Sequence, residues 1–257
     1  MSIKVPMSIK DVAVLFDASE GGAKVLNTAA RLAVAWEARL EGAAMAGAEE
    51  VPCASLFAET VRRNGLEAGS LTAGTRSAKL ALARRSDLVV IGQADPRRRD
   101  TAIMQEEIEA VLMRAGRPVL ILPYVGSFDL PPGRVLIGWN GSREAARSVH
   151  DALPLLKRAE NVTVLSVATD PSEDWEVEIG AVDVAAHLAH HGVNVMVSRT
   201  VADGVPEAAA LLNEASDLGI GLLVTGAYGQ TPMRERVLGG VTRSLLTGMT
   251  VPVLMSH

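Results

Sequence analysis

At 257 residues, with 48% hydrophobic but only 3% aromatic residues, the chain can fill one large core or two small ones, packed with Ala, Val and Leu rather than rings. A net charge of −5 and a lone cysteine, Cys53, exclude a basic phosphate-reading surface, a disulfide framework and a cysteine metal cage. No run approaches the roughly 18 apolar residues of a membrane span. The N-terminus, where Met1-Ser2-Ile3-Lys4 returns as Met7-Ser8-Ile9-Lys10, has no signal-peptide core, so a cytoplasmic protein with neither nucleic acid nor membrane as partner is expected.

In chain order, apolar runs predict strands near 11–16, 39–45, 66–71, 87–92 and 118–122, the second and third being weak. Arg97-Arg98-Arg99, followed by Asp100, Glu106 and Glu107, reads as a solvated loop. From Pro123 to Gly133, three prolines and two glycines make a linker. It divides the chain into residues 1–127 and 128–257. Beyond it, strands are expected at 134–139, 162–167, 193–199, 220–225 and 251–255, with helices at 142–158, 174–191, 206–216 and 239–248. Nearly continuous apolar strands alternating with helices predict parallel sheets covered on both faces.

The two halves repeat each other. Asp87 to Gly92 parallels Gly221 to Gly226, and Pro118-Val119-Leu120-Ile121 parallels Pro252-Val253-Leu254-Met255, both at an offset of 134. The first strands, 11–17 and 134–140, sit at an offset of 123, so the first copy is 11 residues shorter in between.

Ligands of open α/β sheets bind beyond the carboxyl ends of strands, where strand order reverses. After the strand 220–225 the chain reads Gly226-Ala227-Tyr228-Gly229, nine residues, then Gly239-Gly240-Val241-Thr242 and a helix. Gly226 and Gly229 are read as supplying positive φ and close phosphate approach. The unpaired amides and dipole of the helix start favour an anion, Thr242 adds a hydroxyl, and Arg234 and Arg236 lie within reach of a phosphate tail.

This spacing, closing on Val-Pro-Val-Leu, resembles the universal stress protein family, strongly over 134–256 and moderately over 11–123. The resemblance implies two tandem doubly wound five-stranded parallel sheets, strand order 3-2-1-4-5, of the adenine nucleotide alpha hydrolase-like class, with ATP at the strand ends and a divalent ion such as Mg2+ on its phosphates. It places Trp139 and Asn140 beside adenine and ribose. It sets Val167 against adenine through its backbone, and Thr225, Gly226, Tyr228 and Gly229 around ribose and phosphates. Gly239, Gly240, Val241 and Thr242 then hold the phosphates. Two residues depart from the family pattern, Asn140 for Asp and Gly240 for Ser or Thr. Each lost bond to a charged group is worth about 1.5–3 kcal/mol, which weakens binding without abolishing it.

In the first copy Asp95 replaces the second glycine, and Gln105 and Glu106 align with Gly239 and Gly240. Carboxylates there would repel a triphosphate, so the first half is expected to bind no nucleotide, although Asp17 keeps the family acid. Other candidates are bland: His187 and His191, one turn apart, as a half-exposed face rather than a metal pair; Ser142 as a helix N-cap; Asp170 to Asp174 as a solvated loop rather than a lid. The expected function is ATP-binding stress sensing or regulation, with no catalytic residue. A slow ATPase and an interaction module with a vestigial pocket stay open. The fifth strand at a sheet edge invites pairing, so the halves are expected to form a pseudo-dimer, and a homodimer is open.

Overall fold

The computed structural model describes residues 8–45, 47–67, 69–72, 74–168, 175–229 and 240–257. The first half runs β1 (Asp11–Phe16), α1 (Glu20–Trp36), β2 (Arg39–Ala44), α2 (Glu50–Arg63), β3 (Leu71–Thr72), α3 (Arg76–Arg84), β4 (Leu88–Gly92), α4 (Thr101–Arg114) and β5 (Val119–Leu122). The second runs β6 (Arg134–Trp139), α5 (Arg143–Leu156), β7 (Asn161–Ala168), α6 (Trp175–His190), β8 (Val195–Val201), α7 (Glu207–Asp217), β9 (Leu222–Gly226), α8 (Gly240–Gly248) and β10 (Val253–Ser256).

Each half is a parallel sheet in the order 3-2-1-4-5, and the two are fused into one ten-stranded sheet, β3-β2-β1-β4-β5-β10-β9-β6-β7-β8. The fusion is the pairing anticipated for the fifth strands. β5 and β10 run antiparallel, with Ile121 opposite Val253, Leu120 opposite Leu254 and Val119 opposite Met255. Because strands alternate their side chains between faces, Leu120 and Leu254 join the core under α1, α2, α5 and α6. Val119, Ile121, Val253 and Met255 join the core under α3, α4, α7 and α8.

Local chemistry explains the element starts. Ser19 and Ser142 cap α1 and α5 as hydroxyl acceptors for the Gly22 and Ala145 amides, both at 3.1 Å. The weak third strand, expected at 66–71, is reduced to Leu71–Thr72. Gly65 takes a left-handed φ of 65°, and Gly69 crowds β2 so closely that a Cβ there would lie 1.7 Å from the Leu40 carbonyl oxygen. Among the described residues no helix is long and apolar enough to cross a membrane, and no group of three metal-ligating side chains forms. His187 and His191 face each other, ring centroids 4.7 Å apart, at the C-terminal end of α6.

Cys53 is fully buried in α2, and burial, with Asp17 nearby, pushes its thiol up. Its expected behaviour is inertness. Ellman's reagent should leave the native chain unlabelled over a time in which the urea-unfolded chain reacts completely.

Candidate functional site

Strand order reverses between β6 and β9 in the second half and between β1 and β4 in the first, so each half has one crevice where ligands of such sheets bind.

In the second-half crevice, the exposed Asn140 turns its Oδ1 back to accept the Ser142 amide at 3.2 Å, and Gly141 takes a φ of 72°. Across from it, Thr225 is buried and its hydroxyl donates to the Gly226 carbonyl at 3.3 Å. Gly226 and Gly229 do not supply the positive φ expected of them; Tyr228 does, at 59°. The glycines serve close packing instead. A Cβ at Gly226 would lie 2.6 Å from the Ala145 amide nitrogen, and one at Gly229 would lie 3.0 Å from Ser142 Oγ and Glu144 Oε2. The loop after β9 is thus pressed on the first turn of α5.

The Tyr228 amide donates to the Thr242 hydroxyl at 3.0 Å, which ties the end of β9 to the opening turn of α8. Gly240 heads that helix in open space, Val241 is exposed and Thr242 is buried. The Tyr228 hydroxyl is buried with no hydrogen-bond partner among the described residues, and burial, reinforced by Glu109, raises it above the usual phenol range. Gly239, Arg234, Arg236 and Asp170 to Asp174 lie outside the described residues.

Trp139 and Val167 are not brought together. The Trp139 indole joins the core beneath α6, where a Cβ at Gly180 would lie 3.2 Å from its Nε1, itself buried with no partner among the described residues. Val167 packs on the opposite face of the sheet.

The residue that sequence reasoning missed is Glu144. It is buried, its carboxylate lies beside Gly229, and Arg143 Nε donates to it at 2.5 Å. Burial pushes its carboxyl up, but Arg143, its own backbone amide and His257 outweigh that and hold it below the ordinary value. An acid in the first turn after a serine cap reads as an ordinary helix start, so only the fold reveals where it points.

The first-half crevice is built differently. Asp17 accepts the Ser19 amide at 3.0 Å and pairs with Arg98 at 2.7 Å, which also grips Asp100. Asp95 takes both a side-chain and a backbone bond from Arg97, which hold its carboxyl down at about 2. The acids at 106 and 107 do not face this crevice as the alignment implied. α4 has already begun at Thr101, and its turn aims Glu106 at Arg76, 2.7 Å away, and Glu107 at Lys79, both on α3. The crevice itself opens into a cavity of about 730 Å³, walled by the ends of β1, β4 and β5, by α1 and by the linker from Pro123 to Phe128.

Residues 132–257 match the model of the Universal stress protein family. No curated protein matches the chain. The whole chain is similar in fold to a universal stress protein from Archaeoglobus fulgidus DSM 4304, at 14% identity and a TM-score of 0.70, covering 97% of this chain and 96% of that one. A putative universal stress protein from Pseudomonas aeruginosa UCBPP-PA14 is similar at 15% identity and 0.68, covering 96% and 93%. Identities this low speak to the fold alone.

Proposed function

Residues 132–257 belong to the universal stress protein family, and from that premise we propose that the second half binds an adenine nucleotide, ATP with Mg2+ on its phosphates, in the crevice between β6 and β9. One observation carries the reading: the Tyr228–Thr242 bond draws a left-handed strand end and a helix start to one point at the switch of strand order. Helix-start amides there suit an anion. Gly226, Gly229, Gly240, Val241 and Thr242 surround the phosphates in this reading, and Thr225, Tyr228 and Asn140 flank the ribose. Trp139 supports the adenine side from beneath α6, and Val167 contributes backbone only. The reading assigns no catalytic residue; its output is a change of conformation or assembly.

Glu144 makes the metal matter. A carboxylate about 4 Å from a phosphate opposes it by about 4 kcal/mol at an effective dielectric near 20. A divalent ion shared between them reverses that sign. Isothermal titration of the full chain should therefore find one ATP site whose affinity falls at least tenfold when Mg2+ is removed. Glu144→Gln should recover most of that loss, and Gly229→Asp should weaken binding at least tenfold by forcing the loop off α5. Absence of binding at millimolar ATP with Mg2+ would sink the reading. That result would favour the second one, an interaction module whose pocket Glu144 has filled.

A further inference from the structure

We infer that the first-half cavity is a binding site for an uncharged small molecule with an apolar, ring-sized body and a hydrogen-bond donor, and that it is not a nucleotide site. This inference is independent of the reading of the second half. The cavity's volume, about 730 Å³, falls within the range of roughly 300–1,000 Å³ usual for small-molecule pockets.

The cavity arises from a difference between the two copies. Aligned on their cap serines, Gly21-Gly22 stands where the second half has Glu144-Ala145. In the second half the buried Glu144 side chain lies beside Gly229, whereas in the first nothing projects from position 21. The linker then closes the opened space from the far side. Arg31 of α1 donates to the Phe128 carbonyl at 2.8 Å, which straps Pro123 to Phe128 over the helix.

The lining decides the ligand. Each charged side chain on the wall already has its counter-charge. Asp17 pairs with Arg98 at 2.7 Å, Asp95 with Arg97 at 2.8 Å, Glu20 with Lys24 at 2.9 Å and Arg31 with Asp129 at 3.7 Å. A triphosphate would have to part Asp17 from Arg98, the least exposed of these pairs, and would then face the Asp17 and Asp95 carboxylates. The apolar lining includes Val25, Met45, Met104 and Leu122, all buried, with the rings of Tyr124 and Phe128 on the linker. Methionines adapt to irregular shapes, and aromatic walls favour a flat partner. What remains for polar recognition lies on α1. Asn27 gives one Nδ2 hydrogen to the Ala23 carbonyl at 2.8 Å and keeps Oδ1 as an acceptor, and the buried Thr28 lines the same wall.

The test uses the full native chain and an uncharged fluorescent probe, N-phenyl-1-naphthylamine. Expected are saturable binding of one probe per chain and new hydrogen-exchange protection in α1 and residues 123–128. Gly21→Phe should reduce affinity at least tenfold without lowering the melting temperature. A Cβ at position 21 meets nothing nearer than Ser19 Oγ at 3.7 Å, so this change blocks the mouth without a backbone clash. Thr28→Trp, which fills the floor, is read in its place should Gly21→Phe fail to fold. Three results would overturn the inference: no saturable probe binding; probe binding with protection elsewhere than α1 and 123–128; or competitive displacement of the probe from α1 and 123–128 by ATP in the Gly229→Asp chain, whose second-half site is weakened at least tenfold.

Discussion

Replacing Glu107 with alanine should destabilise the chain by about 3–5 kcal/mol, the usual cost of stranding one member of a buried ion pair. Lys79 and Glu107 join α3 to α4 with side chains only 3% and 7% exposed, and the two are in direct contact. The neighbouring Arg76–Glu106 pair is half exposed, at 54% and 67%, and its removal should cost under about 1 kcal/mol. Without Glu107 the Lys79 ammonium keeps its desolvation and loses its counter-charge. Burial, and secondarily Arg76, already pull Lys79 down to about 8. A free lysine titrates near 10.4, so the unfolded chain holds more protons between pH 8 and about 10.4, and stability contributed by this group rises with pH across that window. Lys79→Met with Glu107→Leu replaces the pair by apolar volume; it should cost far less than Glu107→Ala and should lack the alkaline rise. Urea midpoints at pH 7.5 and 10 for the three chains check both statements. A Glu107→Ala midpoint equal to wild type would show that the pair is not buried as described.

Much of this architecture was legible from local signals. The apolar runs located the strands, because a parallel sheet covered on both faces needs unbroken apolar stretches. Ser19 and Ser142 announced their helices, and a fifth strand at a sheet edge implied a partner. What was illegible depended on contacts distant in sequence. Gly226 and Gly229 looked like conformational glycines. Their requirement comes from Ala145, Ser142 and Glu144, more than 80 residues away, while the left-handed residue is Tyr228. Aligning Glu106 with Gly240 assumed equivalent helix starts, and the direction of a side chain turns by 100° with each helical residue. The first-half cavity had no sequence signal because it is made by the absence of a side chain at Gly21 and by the path of a linker.

The halves also differ in how they touch. Gln93, the counterpart of Ala227, is buried and donates to the carbonyls of Leu246 and Thr247 at 2.9 and 3.2 Å, at the far end of the helix that Thr242 opens. Its Oε1 accepts the Tyr124 amide at 3.2 Å. One side chain of the first half therefore binds both the linker wall of the cavity and α8 of the second half. Hydrogen bonds from this one side chain thus join the linker, the first half and α8.

The halves are also joined as one sheet through the β5–β10 ladder, and Leu254 is where they can be parted. It is 1% exposed and faces Leu120, 0% exposed, across the antiparallel joint. Leu254→Ala should cost about 2–5 kcal/mol, the range for a buried leucine cavity. Leu254→Asp should cost more, because a carboxylate there has no partner and must be desolvated between two short strands. The two changes should differ in kind as well as size. Trp36 lies in the first half and Trp139 in the second, so single-tryptophan chains report each half separately. In the wild type and in Leu254→Ala both reporters should unfold at one urea midpoint, as a single cooperative unit does. In Leu254→Asp the midpoints should separate, and the freed edges of β5 and β10 should make sedimentation concentration-dependent, since an unpaired strand edge seeks another. Coincident midpoints in Leu254→Asp would mean that the helices and linker, rather than the β5–β10 ladder, couple the halves.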